Sequence, residues 1–157
     1  MWDMELTDLI TPDHVIARMR ATSKKQALQE LARRSAEVSG LEQREIFDIL
    51  LERERLGTTG IGRGIAIPHG KHDRLNGLVG MFARVDKAID FDAVDGEPVD
   101  LLFLLLAPLS AGADHLKALA KVSRTLRDQT ICTQLRGCED ADGIYALLAG
   151  TSTSNAA

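Results

Sequence analysis

The apolar positions of the chain change period along its length, and those changes set the predicted elements. After Thr22-Ser23-Lys24-Lys25-Gln26, the residues Ala27, Leu28, Leu31, Ala32 and Val38 recur at near-helical spacing up to Gly40. Ser23 has the character of an N-cap and Gln26, three residues on, that of its capping partner, so an amphipathic helix is predicted. A second helix starts near Glu42, carries Ile46, Phe47, Ile49, Leu50 and Leu51, and ends in Glu52-Arg53-Glu54-Arg55 before Gly57. The run Gly57 to Gly64 is too rich in glycine for a helix and is read as a loop. Ile65-Ala66-Ile67 follows as a short β segment that Pro68 stops, leaving His69 just beyond. Leu78 to Val85 reads as a strand, and His14 lies at the edge of an earlier first strand. Val99 to Leu106 is apolar at nearly every position, as a strand covered on both faces requires.

Helices close the chain: one from about Asp114 marked by Leu116, Leu119, Ala120 and Leu126, a short one after Asp128, and a last one through Ile144, Tyr145, Leu147 and Leu148. Helices both precede and follow the strands. The expected fold is therefore α/β, a mixed parallel/antiparallel β-sheet flanked by helices on both faces, in a single domain over 1–150 with a flexible C-terminal tail at 151–157. At 157 residues one core suffices.

Charge narrows the partners. With 19 basic and 23 acidic residues the net charge is −4, so no overall basic field gathers nucleic acid, and 4% aromatic residues leave little for base stacking. The longest apolar run, Leu101 to Ala107, falls far short of the roughly 20 residues of a membrane span. The acidic start Met1-Trp2-Asp3-Met4-Glu5 lacks the features of a signal peptide, and a cytoplasmic location without membrane insertion is expected. Cys132 and Cys138 fit neither a disulfide framework nor a zinc knuckle, and are read as reduced, packed thiols.

The chemistry concentrates between Arg53 and Lys71. An imidazole, His69, stands at a strand end beside a loop whose backbone N–H groups lack regular partners, a setting suited to an anion. Thr59, Gly60, Gly62, Gly64 and Gly70 are the candidate phosphate-cradling residues, since no Cβ at the glycines blocks close approach. A histidine whose unperturbed pKa is about 6.5 offers a neutral lone pair near pH 7. Arg53 adds a charge-assisted contact, against the plainer reading of a solvated helix end. His115, at a helix start, either borders the same cleft or is a surface residue of a first turn. His72 raises a zinc reading with His69, disfavoured because the segment is read as a turn with no helix to fix both rings. The glycine spacing is neither a dinucleotide fingerprint nor a P-loop.

The string Arg53-Glu54-Arg55-Leu56-Gly57-Thr58-Thr59-Gly60-Ile61-Gly62-Arg63-Gly64-Ile65-Ala66-Ile67-Pro68-His69-Gly70-Lys71 closely resembles the active-site signature of the fructose/mannitol-type enzyme IIA domains of the bacterial phosphoenolpyruvate:sugar phosphotransferase system. Phe91 to Phe103 and Asp114-His115-Leu116 extend the resemblance over most of the chain, nearest to the nitrogen-regulatory branch. It implies a phosphocarrier in which His69 takes a phosphoryl group on its ε nitrogen from HPr or its nitrogen-branch counterpart. Arg53 and His115 then complete the site, and no cofactor or metal is needed. Regulatory target proteins, or a IIB domain, are the implied downstream partners. Arg63 departs from the asparagine of many relatives, which puts donor specificity in question. These 157 residues contain neither a transporter nor a cysteine-bearing IIB domain, so a free-standing regulator is expected, with a sugar-permease subunit as the rival and a His-ligated metal hydrolase as the remote alternative.

Overall fold

In the computed structural model the backbone is described for residues 4–154 and the side chains through 150. Two 3-10 turns, Leu6–Asp8 and Pro12–His14, lead into β1 (Val15–Met19). Next come α1 (Lys24–Ser39), α2 (Gln43–Arg55), β2 (Gly60–Gly62), β3 (Ile65–Ala66), β4 (His69–His72), β5 (Val79–Ile89) and β6 (Val99–Pro108). The chain closes with α3 (Ala113–Leu126), α4 (Gln129–Arg136) and α5 (Ala141–Ser154). The stretch expected as a tail enters α5 through Ser154, while positions 155–157 lie outside the described residues. Ser23 caps α1 as the sequence predicts, its hydroxyl accepting from the Gln26 N–H at 3.2 Å, but the Gln26 side chain accepts from the Thr22 N–H at 2.8 Å rather than from Ser23; Gly40 closes the helix in the left-handed region at φ 78°.

The described strands form one mixed sheet in the order β1-β5-β6-β3-β2, with β4 also on β6. The β5/β6 pair is antiparallel, whereas β1 runs parallel to β5 and both β3 and β4 run parallel to β6. Strand pleating divides β6 between two cores. Leu102, Leu104 and Leu106 pack with α1 and α2 on one face, Leu101, Phe103 and Leu105 with α3, α4 and α5 on the other. That is why the run is apolar at consecutive positions.

Pro68 does not end the strand path. β3 and β4 lie end to end along β6, Ile65 opposite Leu101 and His69 opposite Leu105, and the Pro68 carbonyl accepts from the Leu105 N–H at 2.9 Å. The proline takes a position where its missing N–H is not needed by the ladder and its carbonyl still is. His69 is thus the first residue of a strand rather than part of a turn. The glycine loop is likewise more ordered than expected, since Gly60–Gly62 pairs with β3 as an antiparallel strand.

Candidate functional site

His69 is held by its strand and by its own main chain. Its Nδ1 lies 2.8 Å from the carbonyl oxygen of Ile67. A carbonyl only accepts, so Nδ1 carries the proton and Nε2 bears the lone pair. Alternation along β4 turns His69 to the α3 face, where the His115 ring stands with its centroid 5.7 Å away, tilted by 53°. Arg53, in the last turn of α2, reaches the same ring: its Nε–H donates to His69 Nε2 at 3.2 Å while its Nη1 donates to the Gly57 carbonyl at 2.8 Å. Three residues dispersed over 63 positions of sequence thus meet around one imidazole ring.

His115 is the third residue of α3 and is buried. It heads the inward stripe His115, Ala118, Val122 and Leu126, so the helix is turned about one position from the stripe expected through Leu116 and Leu119, and Leu116 is left 67% exposed. Among the described residues its Nδ1 is a buried polar atom with no hydrogen-bond partner. Burial first, then the neighbouring His69 and Lys71, lower the His115 pKa. Burial is also the main influence on His69, whose pKa falls below the ordinary imidazole value, with Arg53 acting in the same direction. Both rings therefore favour the neutral form, which for His69 leaves a nucleophilic lone pair at Nε2.

Several of the residues expected to cradle phosphate have other partners in the fold. The Thr59 N–H donates to Glu54 Oε1 at 3.0 Å, the Gly60 N–H to Thr58 Oγ1 at 3.0 Å and the Arg63 N–H to Asp95 Oδ2 at 2.9 Å, so these amides hold the loop itself. Gly62 and Gly64 flank Ile65, four register positions from His69 along β6, or about 13 Å. Gly64 has φ 83°, and a Cβ there would stand 2.9 Å from Asp100 Oδ1, beside the Arg136 guanidinium that chelates Asp100. Gly70 faces the opposite side of β4, where a Cβ would overlap Ile49 of α2. These glycines permit close packing, and packing is what brings β4 against α2.

Glu54 is the residue that sequence reasoning passed over. Read as part of a solvated charged turn, it is buried, accepts from both the N–H and the hydroxyl of Thr59, and pairs with Lys24 Nζ at 2.9 Å. Lys24 in turn lies 4.8 Å above the Phe91 ring. The only signal in sequence was phase: Ile46, Leu50 and Glu54 share one helical stripe. His72 does not join His69. It faces α2, takes the Arg74 N–H on Nδ1 at 3.0 Å and donates from Nε2 to Glu45 at 2.7 Å, so the two histidines of the zinc reading point to opposite faces of β4. His14 donates from Nδ1 to the Gly80 carbonyl at 2.8 Å, a structural contact. Cys132 is buried with its thiol pKa raised by that burial, and Cys138 is half-buried; both are free.

Residues 8–150 match the family model described as phosphoenolpyruvate-dependent sugar phosphotransferase system, EIIA 2. The chain belongs to that family. This EIIA chain is 56% identical over 146 residues to a nitrogen regulatory protein of Bradyrhizobium diazoefficiens, covering 93% of this chain and 95% of the relative. It is 37% identical over 150 residues to the PTS system fructose-specific EIIA component of Haloferax volcanii, covering 93% of this chain and 97% of that one. The crystal structure of the nitrogen regulatory protein IIA-Ntr from Neisseria meningitidis superposes with a TM-score of 0.86 at 34% identity, over 91% of this chain and 98% of that one. The mixed open sheet described above is the fold of that neighbour. Among the described residues no helix of the EIIA chain is long and apolar enough to cross a membrane.

Proposed function

We propose that this EIIA chain is a phosphocarrier and regulatory protein that accepts a phosphoryl group on His69 Nε2 from a phosphohistidine of HPr or its nitrogen-branch counterpart. The observation that carries the reading is the Ile67 carbonyl holding the proton on Nδ1, which leaves Nε2 as the nucleophile beside Arg53 and His115. In the transfer the donor's P–N bond breaks, its ring nitrogen keeps the electron pair, and a new bond forms from phosphorus to His69 Nε2. Arg53 gives up its contact to Nε2 and turns its N–H groups to the phosphoryl oxygens. The unpartnered Nδ1 of His115 gains a phosphoryl oxygen as partner once it carries a proton, and Lys71 adds positive charge from the same face of β4. The Nδ1–H bond to Ile67 persists and stabilises the positive charge that the phosphorylated ring acquires.

Leu56 and Leu116, directly next to the arginine-bearing turn of α2 and to His115, are 85% and 67% exposed, and with Leu109 at 62% they give a docking protein apolar contact around the site. A gain of about two negative charges at His69 then alters which protein docks there, which is the basis of the regulatory role. The likeness to a fructose-specific component favours a second reading, in which the phosphoryl group passes onward to a separate IIB cysteine.

The test is incubation with phosphoenolpyruvate, enzyme I and HPr or its counterpart. One acid-labile phosphate is gained by the wild-type chain and none by His69→Ala. Labelling that survives in that variant overturns the assignment. A regulator then retains the phosphate in the presence of IIB proteins, whereas a permease subunit discharges it.

A further inference from the structure

Away from the histidines, a groove of about 630 Å³ runs between β1 and α1. Its helical wall is the stripe Gln26, Gln29, Glu30, Arg33 and Arg34, spaced as one face of a helix; its other wall bears Ile16 and Arg18 of β1 and Arg20 just past the strand's end. Four guanidinium groups line it against one carboxylate, in a chain whose net charge is −4. The carboxylates beside them are shared: Asp86 lies 3.4 Å from Arg18, 3.8 Å from Arg20 and 3.4 Å from Arg84, while Glu37 lies 3.4 Å from Arg33 and 3.9 Å from Arg34, and Arg33 also pairs with Glu30. Each cation therefore retains unspent donors, since a guanidinium carries five.

The sheet ends here. Among the described residues β1 pairs with β5 alone, and no strand covers its outer edge. An open edge presents main-chain donors and acceptors to any extended segment laid beside it. We propose that this groove binds an acidic, extended peptide segment of a partner protein, added to the edge of β1 with carboxylates on alternate residues facing Arg18 and Arg20 and, across the groove, Arg33 and Arg34. Strand order β1-β5-β6-β4 puts this surface three strand spacings, about 14 Å, from the strand of His69, so a partner held here does not cover the phosphoryl site.

The probe is a fluorescent peptide of about ten residues alternating glutamate with valine, titrated by anisotropy against the whole chain. Saturable binding is expected. It weakens at least about tenfold in the double variant Arg33→Glu with Arg34→Glu, and by a similar factor when salt is raised to about 0.5 M. Hydrogen exchange of the β1 amides slows on binding. Both substituted residues lie on the polar stripe of α1, and an unchanged melting temperature verifies the variant's fold. Equal binding of the peptide with lysine for glutamate, equal binding with proline at alternate positions, or no response to the double charge reversal overturns the proposal. Tighter binding of heparin than of the peptide, with β1 exchange unchanged, reduces the groove to a general anion surface and overturns it as well.

Discussion

At the scale of single residues, the site works by fixing protons. The Ile67 carbonyl determines which nitrogen of His69 is free, and burial together with Arg53 keeps that nitrogen unprotonated to lower pH than an ordinary imidazole. The His69 resonances followed by NMR should titrate with a midpoint below 6.5, and phosphoryl acceptance should decline only as pH falls through that midpoint. A midpoint at or above 6.5 would contradict this electrostatic picture. Because Arg53 is one of the influences that lower it, Arg53→Ala should raise the midpoint. On the proposed function, the same substitution also removes the charge-assisted hydrogen bonds, about 1.5 to 3 kcal/mol each, that Arg53 gives the phosphoryl oxygens, and should slow transfer by about tenfold or more. Linkage has a definite sign. Folded values of His69 and His115 lie below the unfolded value, so the unfolded chain binds more protons in that window. Stability should therefore rise with pH from the depressed folded values up to about 6.5, as a denaturant series would reveal.

Between elements, α2 is fixed against the strand of His69 and against its neighbours by several contacts, among them the bond of His72 to Glu45. Gly70 lets β4 approach Ile49, and Glu54 ties the end of α2 to Thr59 and to Lys24 of α1. Gly70→Ala should destabilise the fold by about 1 to 3 kcal/mol through overlap with Ile49, and Ile49→Ala in the same chain should recover part of the melting temperature. Failure of that rescue would mean that backbone freedom, not space, is what the glycine supplies. Glu54→Gln leaves Lys24 with only the more distant Asp92, at 3.9 Å, and should cost about 1 to 3 kcal/mol in calorimetry. At this scale the sequence was legible for α1 and α2, where spacing and capping residues are local. It was not legible for β2 and β4. Their polar and glycine-rich residues have no strand pattern of their own, and they are extended because β3 and β6 offer partners.

For the whole molecule, β5 and β6 serve both cores at once. Phe103 packs edge-on to Phe82 on the α3 side, while its neighbours Leu102 and Leu104 belong to the α1 side. Loosening one layer therefore loosens the sheet that supports the other. Unfolding followed by far-ultraviolet circular dichroism and by calorimetry should give coincident transitions, and Phe103→Ala should shift both together by about 3 to 5 kcal/mol. Separate transitions would mean that the two helical layers melt independently.

The sequence by itself determined the class of fold, the helices and the two long strands, because periodicity and capping are properties of neighbours in the chain, and it singled out Arg53, His69 and His115, which the fold brings together. What it left to the tertiary structure is where the loop's groups go: Thr59, Gly60 and Arg63 use their amides within the loop, and Gly64 and Gly70 make room for Arg136 with Asp100 and for Ile49. Only the folded chain could choose the tautomer of His69, turn His115 inward, part His72 from His69 and bury Glu54. Each of these depends on how the backbone path and the packing of separate elements set one group against another, and distance through space is not written in the spacing along a chain.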